Sequence, residues 1–149
     1  MTVLSAQTIR KLRLVAPMVE RTQDLVTGTS FGLSSCGYDV RLDQSVTIQC
    51  GQFCLASTIE QFRMTDEVVG IVHDKSTWAR RGIAVQNTVI EPGWTGYLTL
   101  ELTNHGRDHI TLPRGTPIAQ ILFHYLDRPT EQPYSGKYQN QERGPQIAR

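Results

Sequence analysis

The chain has 149 residues, 39% of them hydrophobic, with 15 Lys and Arg against 14 Asp and Glu for a formal net charge of +1. That length suits one domain able to bury a real core, and the near-zero charge excludes the broad cationic face that duplex nucleic acid demands while leaving room for a local anion pocket. No apolar run approaches the ~20 residues that span a bilayer, no secretory leader pattern opens the chain, and three cysteines make no disulfide framework, so the sequence predicts a soluble, cytoplasmic protein without a membrane or nucleic-acid partner.

Residues 5–13 (S-A-Q-T-I-R-K-L-R) predict a short helix with Ser5 as N-cap and Ile9 and Leu12 on one face. From Val15 to Leu33, Pro17 and the T-G-T-S-F-G-L cluster break any period, which predicts extended arms and a loop. Strand signals then dominate: Tyr38 to Leu42, Ser45 to Gln49, Phe53 to Ile59, Val68 to His73, Ile83 to Gln86, Tyr97 to Thr103, His109 to Leu112 and Ile118 to Tyr125. These short runs, rich in β-branched and aromatic residues and punctuated by Gly, Pro, Asn or Asp, predict an all-β jelly-roll barrel over residues 1–126. Residues 127–149 turn polar and rich in Pro and Gly, so they cannot build a core of their own. They are either disordered or ordered over something.

Most of the residues that look like chemistry lie between Lys75 and Leu102. Lys75-Ser76-Thr77-Trp78-Ala79-Arg80-Arg81-Gly82 predicts a tight turn into a short helical segment, and its hydroxyls, cations and free amides suit phosphate oxygens. The segment is neither a Walker loop nor a dinucleotide fingerprint, and a solvated basic loop reads the same way. In Y-L-T-L-E-L, strand alternation puts Tyr97, Thr99, Glu101 and Thr103 on one face and Leu98, Leu100 and Leu102 on the other, against the core. A mid-strand carboxylate usually faces solvent; under a pocket, desolvation raises its pKa and fits it for general acid/base work.

Metal chemistry finds little support. His73, His105, His109 and His124 are scattered, and Cys50 and Cys54 read as two small buried residues. The zinc deaminase signature, H-x-E with P-C-x-x-C, is missing, so any deamination by this chain activates water without zinc.

In order along the chain, L-S-x-x-x-I, S-S-C-G-Y-D-V-R-L, K-S-T-W-A-R-R-G, E-P-G-W-T-G-Y-L-T-L-E-L-T-N, R-G-T-P-I-A-Q-I-L-F and Y-S-G-K-Y-Q-N-Q resemble the blocks of the dCTP deaminase family, which shares a superfamily with the trimeric dUTPases. The resemblance implies a distorted jelly-roll homotrimer with active sites between subunits, dCTP as substrate and Mg²⁺ bridging the triphosphate. It implies Glu101 as general acid/base, with Ser76 and Arg80 holding water and the reacting groups. It places Lys75, Thr77, Glu91, Thr99, Tyr134, Lys137 and Gln141 at nucleotide-contacting positions, and implies that the tail closes over the nucleotide.

Two departures stand out. Between Gly82 and Glu91 the chain reads I-A-V-Q-N-T-V-I, shorter than the family's stretch against the base, and Glu91 replaces the usual aspartate. The shortening leaves a dUTP pyrophosphatase, or a bifunctional enzyme taking dCTP to dUMP with Glu91 or Asp39 placing water or metal, as the alternative. A non-catalytic nucleotide-binding regulator is a third.

Overall fold

The computed structural model describes residues 2–149. In chain order its elements are β1 (Thr2–Val3), α1 (Ala6–Leu12), β2 (Val15–Ala16), β3 (Thr22–Gln23), β4 (Ser30–Leu33), β5 (Tyr38–Arg41), β6 (Val46–Ile48), β7 (Phe53–Arg63), β8 (Val68–Asp74), α2 (Ser76–Ala79), β9 (Ile83–Val85), β10 (Val89–Ile90), β11 (Thr95–Asn104), β12 (Ile110–Leu112) and β13 (Pro117–Tyr125). All eight predicted strand regions are strands, and α1 lies inside the predicted helix with Ile9 fully buried. The stretch from Val15 to Leu33 differs from expectation, because it holds three strands. Two of these are only two residues long, too short for a period of two to show in sequence.

Three antiparallel sheets make the β architecture. The largest has seven strands in the order β10-β8-β13-β5-β4-β3, with β1 also on β13; a second runs β2-β7-β11-β9; β12 and β6 form a third pair. The inward rows of the two large sheets close on one core. Phe62 of β7 stands between Trp94, at 6.4 Å, and Phe123 of β13, at 6.5 Å between ring centroids. Tyr38, Leu100, Leu102 and Ile121 are fully buried around them. Among the described residues no helix is long and apolar enough to cross a membrane.

The pairing of β7 with β11 shifts register between Tyr97 and Thr99, so that Tyr97 faces Gln61 while Thr99 faces Ser57. The surplus residues on β7 form a bulge, which re-aims the strand beside Thr99. Its backbone is held by the Thr58 hydroxyl, which donates to the Glu60 carbonyl at 2.7 Å and accepts from the Leu98 amide at 3.1 Å. The Glu60 carboxylate, with no exposed surface, accepts from the Arg41 amide at 2.9 Å and from Arg41 Nε at 2.8 Å. Arg41 in turn lies 4.5 Å from the Phe31 ring centroid. Burial raises the Glu60 pKa, and the hydrogen bonds from Arg41 oppose the rise without cancelling it.

Replacing Arg41 with Met leaves Glu60 buried without its partner, and a loss of about 3 kcal/mol of stability is expected from urea unfolding. A carboxyl whose folded pKa is raised contributes most when protonated, below its unfolded value, and that contribution is lost as pH rises through the folded pKa. The variant is therefore penalised more at alkaline than at mildly acid pH.

Candidate active site

Glu101 lies on β11 opposite Leu55 of β7, and the row Leu98, Leu100 and Leu102 is buried as alternation predicts. The opposite face of β11 is partly covered and opens into a cavity of about 560 Å³. Five of the predicted site residues line it together: Glu91, Thr99, Glu101, Tyr134 and Gln141. The rest of its wall is largely apolar, with Phe53, Leu55, Val89, Ile90, Trp94 and Leu98 among the contributors. Glu101 makes no ion pair among the described residues, and burial raises its pKa, offset in part by its own backbone amide. A carboxyl so placed holds a proton at a pH where an exposed glutamate has lost it, which is the property a proton shuttle needs.

The tail builds one side of this cavity. The Tyr134 amide donates to the Pro92 carbonyl at 2.8 Å, and Trp94 Nε1 donates to the Tyr138 carbonyl at 2.7 Å. Gln139 accepts from the Thr95 amide at 2.8 Å through Oε1 and donates to the Gly93 carbonyl at 2.9 Å through Nε2. The Tyr97 amide then donates to the Gln141 carbonyl at 3.0 Å. Gln141 Nε2 reaches the Tyr97 carbonyl at 2.9 Å and Thr99 Oγ1 at 2.8 Å. Gly96, at φ +152°, makes this approach possible: a Cβ there would stand 2.7 Å from the Gln141 nitrogen. Farther along, Arg143 clamps Asp43 with contacts of 2.8 and 2.7 Å, and Arg114 meets the same carboxylate at 3.0 Å. Of the two readings of the tail, ordering over the barrel is the one observed.

The cationic segment lies elsewhere in the same chain. Lys75, Ser76, Thr77 and Arg80 do not line the Glu101 cavity. Lys75 Nζ donates to Asp39 Oδ2 at 2.6 Å, both side chains being nearly buried, and Asp39 Oδ1 is buried without a partner. Ser76, Thr77 and Arg80 are exposed. The predicted helical segment is a single turn of four residues, so a helix dipole adds little and the side chains must carry any anion binding. That turn is anchored by buried Trp78, whose indole donates to the Pro117 carbonyl, and it ends at Gly82, where a Cβ would lie 2.6 Å from the Gly106 nitrogen. Lys137 also stays outside the cavity, donating to the Arg149 carbonyl and lying 5.0 Å from the Tyr138 ring centroid. Sequence reasoning passed over Gln139 and Tyr138, and their only signal was membership of the K-Y-Q-N-Q run.

A family model described as dCTP deaminase-like matches residues 38–126. A dCTP deaminase of Pyrococcus horikoshii is 34% identical over 140 residues, spanning 91% of this chain and 90% of the relative. The chain belongs to the dCTP deaminase family. A dCTP deaminase of Acidobacterium capsulatum is 36% identical over 145 residues, covering 76% of this chain and 79% of its own, and one of Thermococcus kodakarensis is 33% identical over 136 residues, covering 88% of each. Among solved structures, the EIAV dUTPase superposes with a TM-score of 0.60 at 20% identity over 83% of this chain and 98% of its own. A mutant dUTPase from phage phi11 of S. aureus, described with the coordination of a structural Mg(II) ion, gives 0.60 at 14% identity over 79% and 93%. At those identities the likeness is one of fold, and this dCTP deaminase family member has the dUTPase-like jelly roll. Its β3–β4 hairpin and its tail lie outside the residues that the family model matches.

The Asp43 carboxyl is held below its ordinary pKa, first by the hydrogen bond from Arg143 and then by that from Arg114, against the effect of burial. Its contribution is therefore present above the unfolded pKa of aspartate and is lost as pH falls through the depressed folded value. Asp43→Asn is expected to loosen the tail at neutral pH, with severalfold faster hydrogen exchange at the Tyr97 amide and little change at Leu100 in the core. Unchanged exchange at Tyr97 would show that Arg143 does not pin the tail.

Proposed function

We propose that this protein deaminates dCTP to dUTP and ammonia, with Glu101 as the general acid/base and no zinc. The observation that carries the reading is the unpaired, half-buried Glu101 carboxyl, its pKa raised by burial, facing one cavity with Thr99, Gln141, Tyr134 and Glu91 in a dCTP deaminase family chain.

In this reading Glu101 takes a proton from a water placed beside cytosine, and the resulting hydroxide adds to the amino-bearing ring carbon. The carboxyl passes that proton to the adjacent ring nitrogen, then takes the proton of the newly added hydroxyl and delivers it to the departing amino group as the carbon–nitrogen bond breaks. Ammonia leaves, and the ring carbonyl of dUTP remains. Water and dCTP thus give dUTP and ammonia with no net proton consumed, so one carboxyl suffices. Ser76 and Arg80 hold the water and the reacting groups, Thr77 meets the phosphates, and Lys75 reaches them once its ammonium leaves Asp39. Since all four lie away from the Glu101 cavity of their own chain, the complete site takes them from a second copy, as a homotrimer with shared sites requires. Glu91, Thr99, Tyr134 and Gln141 seat the nucleoside. Lys137 reaches the phosphates once it leaves the Arg149 carbonyl.

Among the described residues no group of three or more His, Cys, Asp or Glu is arranged to hold a metal ion. A Mg²⁺ ion arriving with the triphosphate would neutralise phosphate charge and would ask at most one or two carboxylates of the protein. The dUTP pyrophosphatase reading keeps one specific support, the short connection between β9 and β10, where only Gln86, Asn87 and Thr88 intervene. Against it, β9 pairs with β11 and β10 with β8, so the two strands form no hairpin with each other.

Incubating the protein with Mg²⁺ and either dCTP or dUTP separates these readings. Ammonia from dCTP without pyrophosphate is expected; pyrophosphate from dUTP alone would overturn the deaminase reading, and nucleotide binding with neither product would favour the regulator. Glu101→Gln is expected to abolish ammonia release while keeping dCTP affinity within about tenfold, since the amide preserves shape and cannot cycle protons.

A further inference from the structure

A second cavity, of about 540 Å³, lies between the β3–β4 hairpin and α2. It is lined by Arg21, Thr22, Gln23, Thr27, Gly28, Thr29, Ser30 and Thr77, and among the described residues no carboxylate contributes to it. The Arg21 guanidinium makes no hydrogen bond or ion pair among the described residues, and it shares the cavity wall with the Thr22, Thr29, Ser30 and Thr77 side chains.

The carboxylates beside this hairpin in sequence are already engaged. Glu20 takes Arg10 through contacts of 2.6 and 2.9 Å, and Asp24 accepts from the Thr27 amide and hydroxyl at 2.7 and 2.6 Å. The hairpin is held open by the Asp24 amide donating to the Thr29 carbonyl at 2.9 Å and the Gly28 amide to the Asp24 carbonyl at 2.8 Å. The result is a fixed concavity offering hydroxyl donors and one unneutralised guanidinium. That donor set matches a phosphate dianion, because guanidinium and hydroxyl groups give charge-assisted hydrogen bonds to phosphate oxygens.

We propose that the cavity between the β3–β4 hairpin and Thr77 is the subsite for the terminal phosphate of the nucleoside triphosphate, with Arg21 as its cation. The inference rests on the assignment of Lys75 to Arg80 as the phosphate-holding segment: Thr77 belongs both to that segment and to this cavity, so a polyphosphate laid on the segment continues into the hairpin. Arg21 is then a specificity residue for the triphosphate over shorter phosphates. It acts on binding and takes no part in proton transfer.

The test compares Kd values of the protein and Arg21→Gln for dCTP, dCDP, dCMP and inorganic pyrophosphate in Mg²⁺, in a Glu101→Gln background so that ligand is not consumed. Arg21 is exposed, so the change leaves folding intact, which an unaltered Tm confirms. Arg21→Gln is expected to weaken dCTP about tenfold and leave dCMP within about twofold, with Arg21→Lys restoring part of the loss. Equal losses for dCTP and dCMP, or none for either, overturn the subsite while leaving the phosphate segment standing. A loss confined to pyrophosphate also overturns it, because the cavity then holds a free anion and no part of the nucleotide. If the Arg21-containing protein binds none of the four ligands, the phosphate segment and the subsite fall together.

Discussion

The site depends on the register of β11. Leu98, Leu100 and Leu102 must stay in the core between β7 and β9, and because side chains alternate, that burial sends Tyr97, Thr99 and Glu101 to the opposite face. A slip of one residue would bury Glu101 and expose the leucines, so the hydrophobic energy of three leucines fixes the position of the carboxyl. The bulge at Thr58 to Glu60 lets the same strand pair change registers beside Thr99 without moving that row. Packing and chemistry are thus set by one alternation.

The tail shows how a segment with almost no apolar content can order. Its hydrogen-bond partners are mainly backbone groups of the E-P-G-W-T-G turn and the first residues of β11, which the barrel leaves free. The Gln139 amide satisfies two of these groups, the Thr95 amide and the Gly93 carbonyl, the Gln141 amide meets the Tyr97 carbonyl and the Thr99 hydroxyl, and Tyr134 adds apolar contact against the core. Thr99 Oγ1 accepts from both Gln141 Nε2 and the Gln146 amide, so a residue assigned to the nucleotide is already bonded to the tail. Under the proposed function, seating a nucleotide exchanges these bonds for others and couples the tail and the ligand through Thr99.

Much of this was legible in the sequence. The eight strand runs carried β-branched and aromatic residues over enough length to show, and Y-L-T-L-E-L alone fixed which face Glu101 takes. Strands of two residues, such as β2 and β3, leave no periodic trace, since their pairing is decided by partners distant in the chain. The Lys75 to Arg80 segment was visible as chemistry, yet its separation from Glu101 was not, because sequence order says nothing about which end of a barrel a loop occupies. The buried pairing of Lys75 with Asp39 was equally hidden: it joins β5 to the residue before α2, 36 positions apart. Nor did Arg21 stand out, lying in a stretch without period. What exposes it is its place in the wall of the second cavity beside Thr77.

The central claim is that the cationic segment and Glu101 work as one site across two copies of the chain. Mixing Arg80→Ala and Glu101→Gln proteins, each inactive alone, then unfolding and refolding them together, tests it directly. In a trimer with shared sites, roughly a quarter of the sites in the mixture combine an intact Arg80 with an intact Glu101. Ammonia release from dCTP should return to about that fraction of the unsubstituted rate. A mixture that refolds to the same oligomer and stays inactive would contradict the account.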